Sequence, residues 1–172
     1  AIETQFHHLI RTVPAAGRLI VNGAEQSLER VVQRGCWSSL ERFALPEQSI
    51  KSGDWSLLDT VNDGFKVIYQ GKHVAEVSWD EDASITGRHN QLNALAAIAA
   101  AHHVGISAQD AAKALGTFKN VKRRLEIIGV ANNITVYDDF AHHPTAITTT
   151  VDGLRRRVGK ARILAVLEPR SN

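Results

Sequence analysis

Ile134-Thr135-Val136-Tyr137-Asp138-Asp139-Phe140-Ala141-His142-His143-Pro144 sets a run of β-branched and aromatic residues directly before two acids, two imidazoles and a proline. The run suits a pleated, half-buried surface and predicts a strand that ends at the aspartates. Pro144 has no N–H to donate and fits the first turn of a helix, so Thr145 to Arg157 reads as that helix. Asp138, Asp139, His142 and His143 then share one strand-to-helix loop. In α/β folds, ligands gather at the carboxyl ends of strands, where loop side chains meet helix N-termini. A bland alternative has the two aspartates capping a turn beside solvated histidines. Four titratable groups so close together favour a site.

Outward from this stretch, Ala161 to Leu167 is a near-continuous apolar run of the kind found in a buried parallel strand. Upstream, Arg123 to Val130 reads as a strand that pairs with Ile134 to Tyr137 across a turn at Ala131-Asn132-Asn133. The strand-helix-strand unit predicts the opening of a Rossmann-like layer. There is no Gly-x-Gly-x-x-Gly, and so no case for a dinucleotide. Helical texture stops at Gly116 to Lys122, the candidate domain boundary, which divides the chain into residues 1–118 and 119–172.

Residues 87 to 103 predict a helix with Leu92, Leu95, Ala96 and Ala99 on one side. Asn90 and Asn93 fall in or just before its first turn, where Asn caps the helix or faces a ligand. A side-chain amide offers one donor and one acceptor, which matches an adenine edge. Gly105 closes this helix, and Ser107 is the expected N-cap of a second, ending at Leu115. From Cys36 to Trp79 short strands alternate with turn signals at Asn62-Asp63-Gly64 and Gln70-Gly71-Lys72, which predicts an antiparallel edge. Trp37, Trp55 and Trp79 are expected in the core, since no Lys or Arg interleaves them as in a stacking platform. Residues 2 to 12 predict an amphipathic helix stopped by Pro14, Arg18 to Asn22 a strand, and Ser27 to Arg34 a helix with Ser27 as N-cap. His7 and His8 are adjacent and point apart on a helix, which suits surface or packing roles better than metal binding.

With 172 residues, 44% hydrophobic and 22% charged, the chain can bury a core. A net charge of +2 with dispersed basic residues leaves no footprint for nucleic acid or an anionic membrane. The single cysteine, Cys36, excludes an internal disulfide and suits a reducing cytosol, and no apolar run approaches the ~20 residues of a membrane span. Cytoplasmic is the expected location. The chain lacks methionine and opens on Ala1 without a signal-like segment, so it is expected to be an excised piece of a longer protein.

Gly87-x-His89-Asn90-x-x-Asn93-x-x-Ala96-Ala97, Arg123-Arg124, Asp138 through Thr145, and Glu168-Pro169-Arg170 occur in the order and spacing of the Mur ligases. Over about residues 87 to 172 the chain resembles that family. The resemblance implies an α/β fold in which residues 1–118 are the second half of a central ATP-binding domain and 119–172 the start of a Rossmann-like C-terminal domain. It implies ATP and Mg²⁺ as cofactors. ATP phosphorylates a muramyl carboxylate, an amine attacks the acyl phosphate, and phosphate leaves. The His-His-Pro form is similar to the branch acting on UDP-N-acetylmuramate itself, and the ending Leu167 to Asn172 to the recycling branch that adds L-alanyl-γ-D-glutamyl-meso-diaminopimelate. The branch that adds L-alanine is the alternative.

Carried over by position, the resemblance implies that Asn93 contacts adenine, Arg124 lies against the nucleotide, and Asp139 holds the ribose hydroxyls. Asp138 is left to the N–H groups of its own loop. His142, His143 and Arg170 face the reaction centre or the incoming peptide. The chain departs from the family in having no Gly-x-x-x-x-Gly-Lys-[Ser/Thr]. The phosphate loop, the principal metal ligands and the UDP-binding domain are therefore expected before Ala1, and this piece alone is expected to be inactive. Two other classes remain open on the residues: a hydrolase holding two metals on Asp138, Asp139, His142 and His143, and a non-catalytic binding module.

Overall fold

Pro14 ends the helical pattern that begins at Ile2, and α1 (Ile2–Thr12) stops where that proline requires. The computed structural model describes residues 1–46, 54–61, 63–79, 85 and 87–168. After α1 come β1 (Arg18–Asn22), α2 (Gln26–Gln33), β2 (Ser39–Ala44), β3 (Trp55–Asp59), β4 (Phe65–Tyr69) and β5 (Lys72–Val77). These five strands form one sheet in the order β1-β2-β3-β4-β5. The first three are parallel and the last three antiparallel, so the expected antiparallel edge is formed by β3 to β5, while β2, within the same predicted stretch, pairs parallel on both sides. Gln70 (φ 48°) and Gly71 (φ 77°) make a left-handed two-residue turn between β4 and β5, the geometry that matches strand twist. Of the other predicted turn, Asn62 lies outside the described residues, while Asp63 and Gly64 stand between β3 and β4.

α3 (Arg88–His103) and α4 (Ala108–Gly116) cover the sheet. Trp55, Leu57, Phe65, Val67 and Val77 from alternating strand positions pack on Leu95, Ile98, Ala99 and Ala112. Each large side chain fully buried here contributes about 1.5–3 kcal/mol. The buried face of α3 is Gln91, Ala94, Leu95, Ile98 and Ala99, rather than the predicted set containing Leu92 and Ala96. Spacings of three and four from Gln91 give a tighter stripe, and a hydrogen-bonded polar residue occupies its first position. Gly105 ends α3 as expected: its N–H reaches the His102 carbonyl while that of Ile106 reaches Ala101, satisfying two terminal oxygens. Ser107 caps α4, its hydroxyl oxygen accepting the Asp110 N–H at 3.1 Å.

Glu41 is buried at the start of the sheet, where it pairs with Arg18 and accepts the Trp55 indole N–H at 2.7 Å. The Tyr69 hydroxyl donates to it at 3.4 Å. One carboxylate thereby joins β1, β2, β3 and β4. Burial raises the Tyr69 pKa, and the Glu41 charge adds to the rise.

Two local expectations fail. Ser27 is not the N-cap of α2: Glu25 holds that position without a side-chain cap, and Asn22 Oδ1 instead accepts the Ala24 N–H at 3.1 Å. Trp55 is in the core and Trp79 packs against it, but Trp37 is 63% exposed, lying near His7 at 6.1 Å between ring centroids.

Beyond α4 the chain forms β6 (Glu126–Ala131), β7 (Ile134–Asp138) and α5 (Pro144–Val158). β6 and β7 pair antiparallel in a second sheet of two strands. Asn132 (φ 49°) and Asn133 (φ 60°) supply the left-handed turn between them. β6 starts at Glu126 and not at Arg123, because Arg123 and Leu125 are themselves left-handed. The Ala161–Leu167 run is not a strand. Leu164 and Val166 are 80% and 92% exposed, since among the described residues no strand lies beside the run to complete a ladder. The expected parallel layer is therefore not formed by the described residues. What they form is a mixed α/β structure with a parallel-antiparallel sheet, followed by a separate, largely exposed hairpin and α5.

Candidate functional site

Asp139 organises the loop between β7 and α5. Its Oδ2 accepts the Leu125 N–H at 2.9 Å, and its Oδ1 accepts the Ala141 N–H at 2.8 Å and the Thr150 hydroxyl at 3.3 Å. The Phe140 N–H donates to the Arg123 carbonyl at 2.9 Å, closing the same loop from the other side. Asp138, the last residue of β7, is paired instead with Arg123 at 3.4 Å. The loop N–H groups therefore go to Asp139, not to Asp138 as expected. Asp138 is still in the ladder opposite Glu126, and only Asp139, one residue further, turns back into the loop.

The histidines have local partners as well. His142 Nδ1 lies 2.9 Å from the Phe140 carbonyl, which only accepts, so that nitrogen carries the proton. His143 is the N-cap of α5, its Nδ1 accepting the Thr145 N–H at 3.4 Å ahead of Pro144 at the first helical position. The Arg123 guanidinium lies 4.9 Å above the Phe140 ring, a cation–π contact. Among the described residues no three His, Cys, Asp or Glu side chains gather as metal ligands. The two-metal arrangement on Asp138, Asp139, His142 and His143 is not assembled.

The opposite wall is the start of α3. Gly87, its N-cap residue, has φ 87° and ψ 157°, a conformation essentially reserved for glycine. A Cβ there would stand 3.3 Å from His89 Nδ1 and 3.4 Å from Gly153 Cα on α5. His89 is solvent-accessible, yet the surrounding protein lowers its pKa by desolvation, with the Arg124 cation adding to the fall and Asp139 opposing it. The imidazole is therefore held neutral between a cation and a carboxylate. Asn93 lies one helical turn beyond His89 on the same face and is exposed. Gln91 points the other way, 1% exposed, its amide donating to Asp59 Oδ1 at 3.1 Å and to the Asp63 carbonyl at 3.0 Å.

The structure thus sets Arg124 and Asp139 near His89, with Asn93 four residues further along α3. His89 belonged to the recognised motif without a role, and the signal that marks it is its place four residues before Asn93. Arg170 lies outside the described residues. An exposed amide, a neutral imidazole, a guanidinium and a carboxylate can read the polar edge of a flat heterocycle and its sugar. No described helix is long and apolar enough to cross a membrane.

Aligned over 175 positions, the chain is 51% identical to the UDP-N-acetylmuramate--L-alanyl-γ-D-glutamyl-meso-2,6-diaminoheptandioate ligase of Haemophilus influenzae, with all of this chain covered. Residues 123–172 match the family described as Mur ligase, glutamate ligase domain. The chain belongs to the Mur ligase family. The ligase of the same name from Escherichia coli K12 is 49% identical, again over the whole chain. Among solved structures, a murein peptide ligase from Psychrobacter arcticus superposes with a TM-score of 0.69 at 42% identity, covering 99% of this chain and 35% of that one. The chain spans 36% of the length of the curated relatives it matches.

Proposed function

We propose that this Mur ligase chain is part of an ATP-dependent enzyme of peptidoglycan recycling in the cytoplasm. That enzyme joins L-alanyl-γ-D-glutamyl-meso-diaminopimelate to UDP-N-acetylmuramate through an acyl phosphate, and this part of it holds the adenosine end of ATP. The observation that supports the reading is His89 of α3 lying in the field of Arg124 and Asp139, in a chain about half identical to ligases of that name. Residues 1–118 belong to the ATP-binding domain and 119–172 to the domain that closes on it.

In this reading the Asn93 amide pairs with the adenine edge and Arg124 lies against the nucleotide. Asp139 already accepts three bonds, and its remaining acceptor capacity takes a ribose hydroxyl. His142 and Arg170 face the reaction centre or the peptide. His143 serves first as the cap that aims this loop. The described residues fit a nucleoside. The chain contains no Gly-Lys phosphate loop, so the triphosphate and Mg²⁺ are held by other parts of the ligase, and this chain alone does not turn over. Mg²⁺, when bound, neutralises charge that develops on the transferred phosphoryl group.

The test uses a full-length ligase carrying this sequence, given ATP, Mg²⁺ and UDP-N-acetylmuramate with either the tripeptide or L-alanine. Phosphate release coupled to a UDP-N-acetylmuramyl tripeptide, seen by mass spectrometry, is expected. Incorporation of L-alanine alone would assign the other branch, and no ATP-dependent product would overturn the proposal.

A further inference from the structure

Asp63 reads in sequence as a turn residue, and its φ of 57° is one that Asp tolerates better than most. A turn needs only local contacts, but four distant groups converge here. The Asp63 carbonyl accepts the Trp79 indole N–H at 3.1 Å and the Gln91 amide at 3.0 Å. Its Oδ2 accepts the Gly87 backbone N–H at 3.0 Å, and its Oδ1 faces the Arg156 guanidinium at 3.8 Å. Trp79 follows β5, Gly87 and Gln91 open α3, and Arg156 lies on α5. One residue therefore ties the end of the β3–β4 hairpin to the helix that carries Asn93 and to the helix that follows Asp139.

Little slack remains around it. A Cβ on the next residue, Gly64, would stand 2.8 Å from Thr60 Oγ1 and 2.9 Å from the Val77 carbonyl, so the turn's backbone packs closely against the end of β5. On the far side, α3 and α5 approach through Gly87 and Gly153. Gln91 is held a second time by Asp59, which also pairs with Arg88.

We infer that Asp63 is a positioning residue for the nucleotide site. It fixes the first turn of α3, and with it His89 and Asn93, relative to Asp139. This rests on the adenosine reading of the junction. The two parts of the role are unequal. The Gly87 N–H bond is charge-assisted and lies in the partly buried interior of the turn, whereas the Arg156 pair is long and Arg156 is 44% exposed, which makes it the weaker contact.

Substitutions separate them. Asp63→Asn keeps an acceptor for Gly87 and removes the charge facing Arg156, while Asp63→Ala removes both. In a full-length ligase carrying this sequence, Asp63→Ala is expected to raise the KM for ATP about tenfold, the size of one charged hydrogen bond. kcat and the tripeptide KM stay within about twofold. Asp63→Asn restores the ATP KM to within about threefold of the parent, and Arg156→Ala gives the same modest rise. If Asp63→Ala does not fold, Asp63→Glu replaces it, since the extra methylene displaces the carboxylate from Gly87. A folded Ala or Glu variant whose ATP KM is unchanged, or moves together with that of the tripeptide, overturns the inference. A parent enzyme with no ATP-dependent ligation overturns the functional reading and this inference with it. A ligating parent beside an unaffected variant overturns this inference alone.

Discussion

Asp139 accepts the backbone N–H of Leu125 at 2.9 Å, and Leu125 is a buried leucine in the left-handed region at φ 49°. A bulky residue keeps such a conformation only where its surroundings hold it. Here they do: the acid that follows β7 grips the turn just ahead of β6, while the Phe140 N–H binds the Arg123 carbonyl beside it. The chain that leads from α4 into β6 is thus shaped by a residue beyond β7.

From this, Asp139→Ala should lower stability before any nucleotide is added. The Leu125 and Ala141 N–H groups and the Thr150 hydroxyl lose their acceptor, and a buried donor left unpaired costs about 1–3 kcal/mol. Urea unfolding of the full-length ligase should show an earlier transition for Asp139→Ala than for Asp139→Asn, which keeps one acceptor oxygen. Equal midpoints for Asp139→Ala and the parent would show that the grip is unimportant. Asp138→Ala, which removes only an exposed pair with Arg123, should shift the midpoint by less than about 1 kcal/mol.

Gly87→Ala should damage the same junction from the other wall. The backbone at φ 87° and ψ 157° costs a non-glycine residue about 1–3 kcal/mol, and the new methyl meets His89 and Gly153 at 3.3 and 3.4 Å. A fall in melting temperature accompanied by a raised KM for ATP is expected. If stability drops while the KM for ATP stays fixed, the approach of α3 to α5 has no part in nucleotide binding.

The lowered pKa of His89 gives a pH dependence of definite sign. Folding favours the neutral ring chiefly by desolvation, with Arg124 disfavouring and Asp139 favouring its protonation. The stability this contributes is present above the ordinary histidine value of 6.5 and is lost as the pH falls through the lower value of the folded state. The urea midpoint of the parent should therefore fall more between pH 7.5 and pH 5 than that of His89→Gln. Parallel curves for the two proteins would remove His89 from the account.

Local backbone chemistry was the legible part of the fold. Gly71 and Asn132-Asn133 announce their turns because few other residues accept left-handed angles, and Ser107, Gly105 and Pro144 mark helix ends through groups they supply or lack. What depends on a partner was not legible. Ala161 to Leu167 is apolar enough for a buried strand, but apolarity does not reveal whether another strand lies alongside. Trp37 is as hydrophobic as Trp55, and only the layers above the sheet decide which is covered. At the site, residue types drew attention to Asn93 and the loop of residues 138–143, while the roles of Arg124 and Asp139 came from the resemblance to the Mur ligases. That the loop N–H groups go to Asp139 and not to Asp138 followed from where β7 stops, a boundary one residue wide. Asp63 looked like any turn aspartate, because its Gly87, Gln91 and Arg156 contacts are distant in sequence.

Asn93 offers the cleanest separation of function from fold. It is exposed on α3, away from the Gln91, Ala94, Leu95 and Ile98 stripe, so its side chain contributes nothing to the core. Asparagine is also a poor residue inside a helix, and replacing it by alanine should gain about 0.5 kcal/mol of helix propensity. A purely structural Asn93 would therefore give an Asn93→Ala enzyme that is slightly more stable and fully active. If its amide pairs with the adenine edge, the same variant loses a donor and an acceptor to the base, and the KM for ATP should rise about tenfold or more. Stability and nucleotide affinity then move in opposite directions, which no general loosening of the protein produces. The decisive control is GTP, whose base edge carries a different donor and acceptor pattern. The parent should prefer ATP, and Asn93→Ala should lose most of that preference. Retained preference in the variant would place adenine recognition on some other residue.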